Sequence, residues 1–237
     1  MLAAALSVLV SSCEKMGLWV NPSAEITTET KNITNFSGVD ISNAFNAYVT
    51  FSDGAEQVEI EANENLHQYI EVRKTGNTLT VGLRNGVSIR NGHARMNVYI
   101  TANHLTDFTA SGASNIYVED PLVTNSEVYV DLSGASSFLA GVDVDEMTLD
   151  MSGASNADLS GDVDHLRLFA SGSSTLKDYD LWVNWFEADL SGASNAYLTV
   201  NDRLDIEASG ASNINFKGNG TIHSQNLSGA SNVRRVN

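Results

Sequence analysis

Apolar and polar residues alternate with a period of two along most of the chain, and the alternation is punctuated at near-constant intervals. The punctuation is a pentapeptide, Ser-Gly-Ala-Ser-Asn or a close variant, beginning at Ser111, Ser133, Ser152, Ser171, Ser191, Ser209 and Ser228. Successive starts lie 18 to 22 residues apart. The first, third and fifth positions before the pentapeptide are apolar: Leu132, Val130 and Val128 in one unit, Met151, Leu149 and Met147 in the next, then Ala170, Leu168 and Leu166. Leu190, Ala188 and Phe186 continue the series, as do Ala208, Ile206 and Leu204. Five residues after each initial Ser stand Ile116, Phe138, Ala157, Leu176, Ala196, Ile214 and Val233. Strict alternation of this kind predicts strands with one buried face. A helix is excluded by the spacing of two and by Ser, Gly and Asn recurring in mid-segment.

A unit of about 20 residues holding two or three short strands is one coil of a β-solenoid. One coil cannot bury its own apolar face, so coils must stack. The predicted fold is therefore all-β, a right-handed parallel β-helix whose neighbouring coils pair as parallel strands about 4.8 Å apart. The pentapeptide is predicted to be its corner. Gly112, Gly134, Gly153, Gly172, Gly192, Gly210 and Gly229 would allow the sharp bend. Ala and Ser would fit where opposite walls converge, and stacked Ser hydroxyls and Asn amides would bond to one another or to the backbone of the bend. A polar binding strip is the alternative role for the same repeat.

Residues 33–104 lack the pentapeptide but read as irregular β structure that begins the stack and caps it. Val39–Gly54 alternates and ends in an Asp-Gly turn signal, and Val58–Ala62, Thr78–Leu83 and Met96–Ala102 are further strands. Thr75-Gly76-Asn77 reads as a hairpin turn, and a helical turn is expected around Leu66. Residues 33–237 then form one domain, with the seven coils in 105–237.

The stretches at 36–54 and 58–83, together with the Ser-Gly-Ala-Ser(-Asn) series, resemble the family described as putative auto-transporter adhesin, head GIN domain. The resemblance spans residues 33–236. It implies a β-helical protein, secreted or lipid-anchored, from Bacteroidota, and an adhesive function.

Composition narrows the picture. Hydrophobic residues make up 42% and charged residues 18%, the balance of a folded chain. The net charge is −16, with −3 in residues 1–104 and −13 in 105–237. That bias repels nucleic acid and anionic membrane surfaces and tolerates cations. Leu2–Val10 is a short apolar run, followed by Ser11, Ser12 and the sole cysteine, Cys13. The order fits a signal peptide over 1–12, a lipidated Cys13 and a tether over 13–32. An unmodified buried or free cysteine is the alternative. The expected location is the cell envelope, as an outer-membrane lipoprotein whose membrane contact is the N-terminal lipid.

Candidate chemistry is sparse. His67, His93, His104, His165 and His223 show no metal-ligand spacing, and no second Cys is present to complete a zinc site. Nucleophile-elbow, P-loop and dinucleotide motifs are absent, so no catalytic, cofactor or metal residues are assigned. Two residues before each pentapeptide stand Thr109, Asp131, Asp150, Phe169, Asp189, Glu207 and Asn226. Stacking would set Asp131 beside Asp150 and Asp189 beside Glu207, with Phe169 and Arg167 interrupting. The column reads as a solvated acidic face. Calcium binding and glycosidase-type carboxylates are the alternatives. Trp182–Phe186 would either stack on a sugar or partner or cover one side of a coil. The expected function is a non-enzymatic envelope lipoprotein with an adhesive surface for a glycan or protein. A carbohydrate-active β-helix enzyme and a purely structural envelope protein are the other readings.

Overall fold

Each coil brings one strand into a pentapeptide corner and a second out of it. The computed structural model describes residues 17–90 and 94–237. These form a β-solenoid of about seven turns. Asp107–Ala110 enters the first Ser-Gly corner and pairs in parallel with Val128–Leu132 of the next coil. Asn115–Val118 leaves it and pairs with the start of Ser137–Met151. The long strand Ser137–Met151 lies parallel to Asn156–Ala170 from Ser137 opposite Asn156 to Met151 opposite Ala170. A third face connects the two, as where Leu122–Thr124 lies against Val142–Val144.

The period of two makes the inward set the apolar one. Leu132, Met151 and Leu190 are fully buried, as are Phe138, Ala157, Leu176, Ala196 and Ile214 on the far side of the corner. Large and small alternate along that second ladder, where Phe138 faces Ala157, Ala157 faces Leu176 and Leu176 faces Ala196. Alternation of volume fills a narrow cross-section without voids. Each buried Leu or Phe contributes about 1.5–3 kcal/mol.

The corner glycines all have positive φ, from +62° at Gly112 to +76° at Gly153. A Cβ on Gly153 would lie 2.5 Å from the carbonyl oxygen of Gly134. The obstruction is the backbone of the adjoining coil, added to the left-handed φ that already disfavours a side chain. That coil comes so close because Ala154 N–H donates to the Gly134 carbonyl at 2.7 Å. The third residue of the corner, usually Ala, faces solvent, and the fourth, Ser, is the one buried. Its hydroxyl turns back into the bend: Ser174, Ser194 and Ser212 each donate to the carbonyl three residues earlier at 2.8 Å. Of the hydroxyl ladder, Ser155 to Ser174 is joined directly, at 3.2 Å.

The stack continues below the first Ser-Gly corner. Ser42-Asn43-Ala44-Phe45-Asn46 is a further corner, with Asn43 at φ +62° and Ala44 at +64°. Its strands, Gly38–Ile41 and Asn46–Phe51, pair in parallel with Asp107–Ala110 and Asn115–Val118. Thr78–Leu83 and Met96–Ala102 lie one rung further out, parallel to them. Antiparallel strands follow: Gln57–Asn63 along Met96–Ala102, Ile26–Lys31 along Gln57–Asn63, and Ile70–Thr75 along Thr78–Leu83 around Gly76. A 3₁₀ turn at Glu64–Tyr69 seats Leu66 in the core. At the other end, Thr221–Leu227 is almost wholly exposed.

Candidate binding surface

The outward face before the corner carries the acidic column. Asp131 stands opposite Asp150 and Asp189 opposite Glu207, with Phe169 between the pairs. Burial raises the Asp131 carboxyl above its ordinary value, and Asp150 and Asp40 add to the rise. In the neighbouring column a cation offsets part of the charge. Arg167 reaches Glu127 at 3.0 Å, Glu146 at 3.1 Å and Glu187 at 3.7 Å. Among the described residues, no group of three or more His, Cys, Asp and Glu is placed to hold a metal ion.

The tryptophan patch divides in two. Trp185 stacks on His165 with centroids 4.1 Å apart and planes 5° from parallel, and the Arg203 guanidinium lies 4.9 Å from its ring. Its Nε1 donates to Asp205 at 3.1 Å. The Asp205 carboxyl is drawn down to about 2, first by Arg203 and then by His223 and Trp185, against the effect of burial. Trp185 is thus enclosed in a network of the solenoid wall, whereas Trp182 stands 48% exposed.

A second surface, on the face after the corner, was not read from the sequence. Tyr99, Tyr48 and Tyr117 form an outward ladder, with centroids 5.2 Å apart and planes within 17°. Beside it runs a ladder of amides. Asn115 Nδ2 donates to Asn46 Oδ1 at 2.8 Å, Asn46 Nδ2 to Asn97 Oδ1 at 3.2 Å, and Asn97 Nδ2 to Glu61 Oε1 at 3.1 Å. All three amides point one way, and the chain ends on a carboxylate that Arg95 also approaches, at 3.4 Å. The signal was present as Asn-X-Tyr, which occurs at 46–48, 97–99, 115–117 and 195–197, the first three of which lie on adjoining rungs. In a strand, i and i+2 share a face, so parallel stacking of that motif must yield paired amide and phenol ladders.

A groove of 750 Å³ lies over this end of the ladders. Asn46, Tyr48 and Asn97 line it together with Asn21–Ala24 and Arg95. The Asn21–Ala24 side is fastened by two side chains. Asn63 Nδ2 donates to the Ser23 carbonyl at 2.6 Å, and Asn65 accepts from Ser23 N–H and donates to the Asn21 carbonyl, both at 2.8 Å. Asn63 Oδ1 also accepts from the Arg95 backbone N–H at 2.7 Å, so one buried amide ties both sides. The Tyr48 hydroxyl is held in its phenol form by burial and by the adjacent tyrosines, which raise its pKa. Cys13 and His93 lie outside the described residues.

The family described as putative auto-transporter adhesin, head GIN domain, matches residues 35–220. The chain belongs to this family. As a head GIN protein it is of the adhesin type, which is the type of a surface or envelope protein. Solved structures share its fold. A putative adhesin from Bacteroides fragilis NCTC 9343 is 23% identical, with a TM-score of 0.80 over 92% of this chain and 100% of that one. A putative adhesin from Parabacteroides merdae ATCC 43184 is 20% identical, with a TM-score of 0.72 over 92% and 99%. A putative lipid binding protein from Parabacteroides distasonis ATCC 8503 is 16% identical, with a TM-score of 0.70 over 92% and 100%. No curated protein matches this head GIN chain.

Proposed function

We propose that this head GIN protein is a lipid-anchored, non-enzymatic adhesin of the bacterial envelope, and that it holds its ligand on the outward ladders of the solenoid. The observation that carries the proposal is the groove over the Asn and Tyr ladders. Its hydrogen-bonding groups stand on paired strands, spaced by the backbone and bonded to one another before any ligand arrives. Groups fixed in this way lose little conformational freedom on binding. The Cys13 context supports attachment by lipid.

The carboxylates support binding over cleavage. Glycoside hydrolysis needs two carboxyl groups flanking one bond from different sides. Asp131 and Asp150 are neighbours in one column of one sheet face, and the Glu127, Glu146 and Glu187 carboxylates are engaged by Arg167. The test is to coat beads with the protein, measure their adherence to glycan- and protein-coated surfaces, and assay the same glycans for released products. Adherence without products is the expected result. Products that vanish in Asp131→Asn/Asp150→Asn would establish the enzymatic reading instead.

A further inference from the structure

We infer that the groove between Asn21–Ala24 and the Asn46–Tyr48 ladder is a binding site for a neutral oligosaccharide. This rests on the adhesin reading and names the ligand class for its surface. Three features point the same way. The first is the mixture of hydrogen-bonding groups. Asn amides offer donors and acceptors, the Tyr48 hydroxyl does both, and the Arg95 guanidinium donates. Sugar hydroxyls both donate and accept, so adjacent hydroxyls can be met by an amide and by the Tyr48 hydroxyl or the Arg95 guanidinium. A ligand with only acceptors, such as a polyanion, would leave the acceptor half of the lining unmatched.

The second feature is the aromatic component. Tyr48 lines the groove within a continuous stack of three tyrosines. Its faces are covered by Tyr99 and Tyr117, so what it turns to the groove is the ring edge and the hydroxyl, an apolar rim beside a hydrogen-bonding group. The third is charge and size. The Arg95 guanidinium that lines the groove is already paired with Glu61, at 3.4 Å, so it offers an anionic chain little net attraction. At 750 Å³ the groove falls within the size range of small-ligand sites, about 300–1,000 Å³. A pyranose is about as long as the step between paired strands, about 4.8 Å, so successive sugars can address successive rungs.

Two variants test the site without relying on the ladder, whose loss could disturb folding. Ala24→Trp fills the groove from its exposed wall, and Arg95→Gln removes the exposed guanidinium. The full-length protein is applied to an array of immobilised neutral and uronate-bearing oligosaccharides, and the best binder is titrated at low and high salt. The expected result is retention of a neutral glycan with little salt dependence. Each variant should weaken it about tenfold or more, equivalent to about 1.4 kcal/mol, with an unchanged Tm. Retention of no glycan, retention of uronates alone with steep salt dependence, or binding untouched by both variants would overturn the inference. Coated beads that still adhere when carrying both substitutions would remove the groove and leave the adhesin reading standing. Beads that never adhere would remove the adhesin reading itself.

Discussion

Gly153 shows why a pentapeptide of small residues recurs. Its φ of +76° disfavours any side chain, and the Gly134 carbonyl occupies the space a Cβ would need. Gly153→Val combines strain of about 1–3 kcal/mol with a backbone clash that the paired coils cannot relieve cheaply. Thermal unfolding should show a Tm loss of many degrees. Asp158→Val, on the outward side two residues past the bend, should change Tm by little. Gly229→Val should fall between them, because its coil is the exposed last one. Equal Tm values for Gly153→Val and wild type would contradict the corner. Two carboxylates make opposite predictions with pH. Asp205 is held near 2, below its ordinary 3.8, so its stabilisation is present above that ordinary value and lost as pH falls from there towards 2. Asp205→Asn should therefore lower Tm at neutral pH, and the gap should close in acid. Asp131 is raised, so its ionisation disfavours the fold above its folded pKa. Asp131→Asn should raise Tm at neutral pH, and that gain should disappear as the wild-type carboxyl protonates in acid. The corner glycines were legible because seven copies repeat. Asn43 was not, because a residue that merely tolerates the left-handed region replaced the glycine, and Phe45 replaced the inward serine.

At the scale of elements, the two ends of the solenoid differ in kind. The turn at Gly76 and the helical turn at Leu66 were readable from local signals. The order of the rungs was not. Thr78–Leu83 and Met96–Ala102 sit outside Gly38–Ile41 and Asn46–Phe51 although they follow them in the chain, and alternation alone does not say which strands pair. The Asn-X-Tyr motif was hidden for the same reason: it becomes a surface only once three distant copies are stacked. The groove depends on this arrangement through Asn63, which bonds the Ser23 carbonyl and the Arg95 N–H. Asn63→Ala leaves both groups without partners, at a cost of about 1–3 kcal/mol. Hydrogen exchange should quicken at residues 21–26 and 94–96 while the coils beyond Ser133 keep their protection. Uniformly faster exchange throughout would mean that Asn63 supports the whole stack and not the groove.

For the molecule as a whole, stacking of near-identical coils produces a rod whose inward ladders hold it together and whose outward ladders are free to differ. Fold class followed from the sequence because every coil repeats the same inward pattern. The proposed groove did not, because it lies at the capped end where the repeat is degenerate. We propose that the whole solenoid serves as an envelope-anchored adhesin. The most direct test is the adherence of cells producing wild-type, Cys13→Ser or Ala24→Trp protein at equal levels to the surface that retains the coated beads, with membrane fractionation of the same cells. The wild type should be in the membrane fraction and confer adherence. Cys13→Ser should move the protein to the soluble fraction and abolish adherence, and Ala24→Trp should stay in the membrane and fail to adhere. Cys13→Ser protein that remains in the membrane, with adherence equal to wild type, would contradict the account.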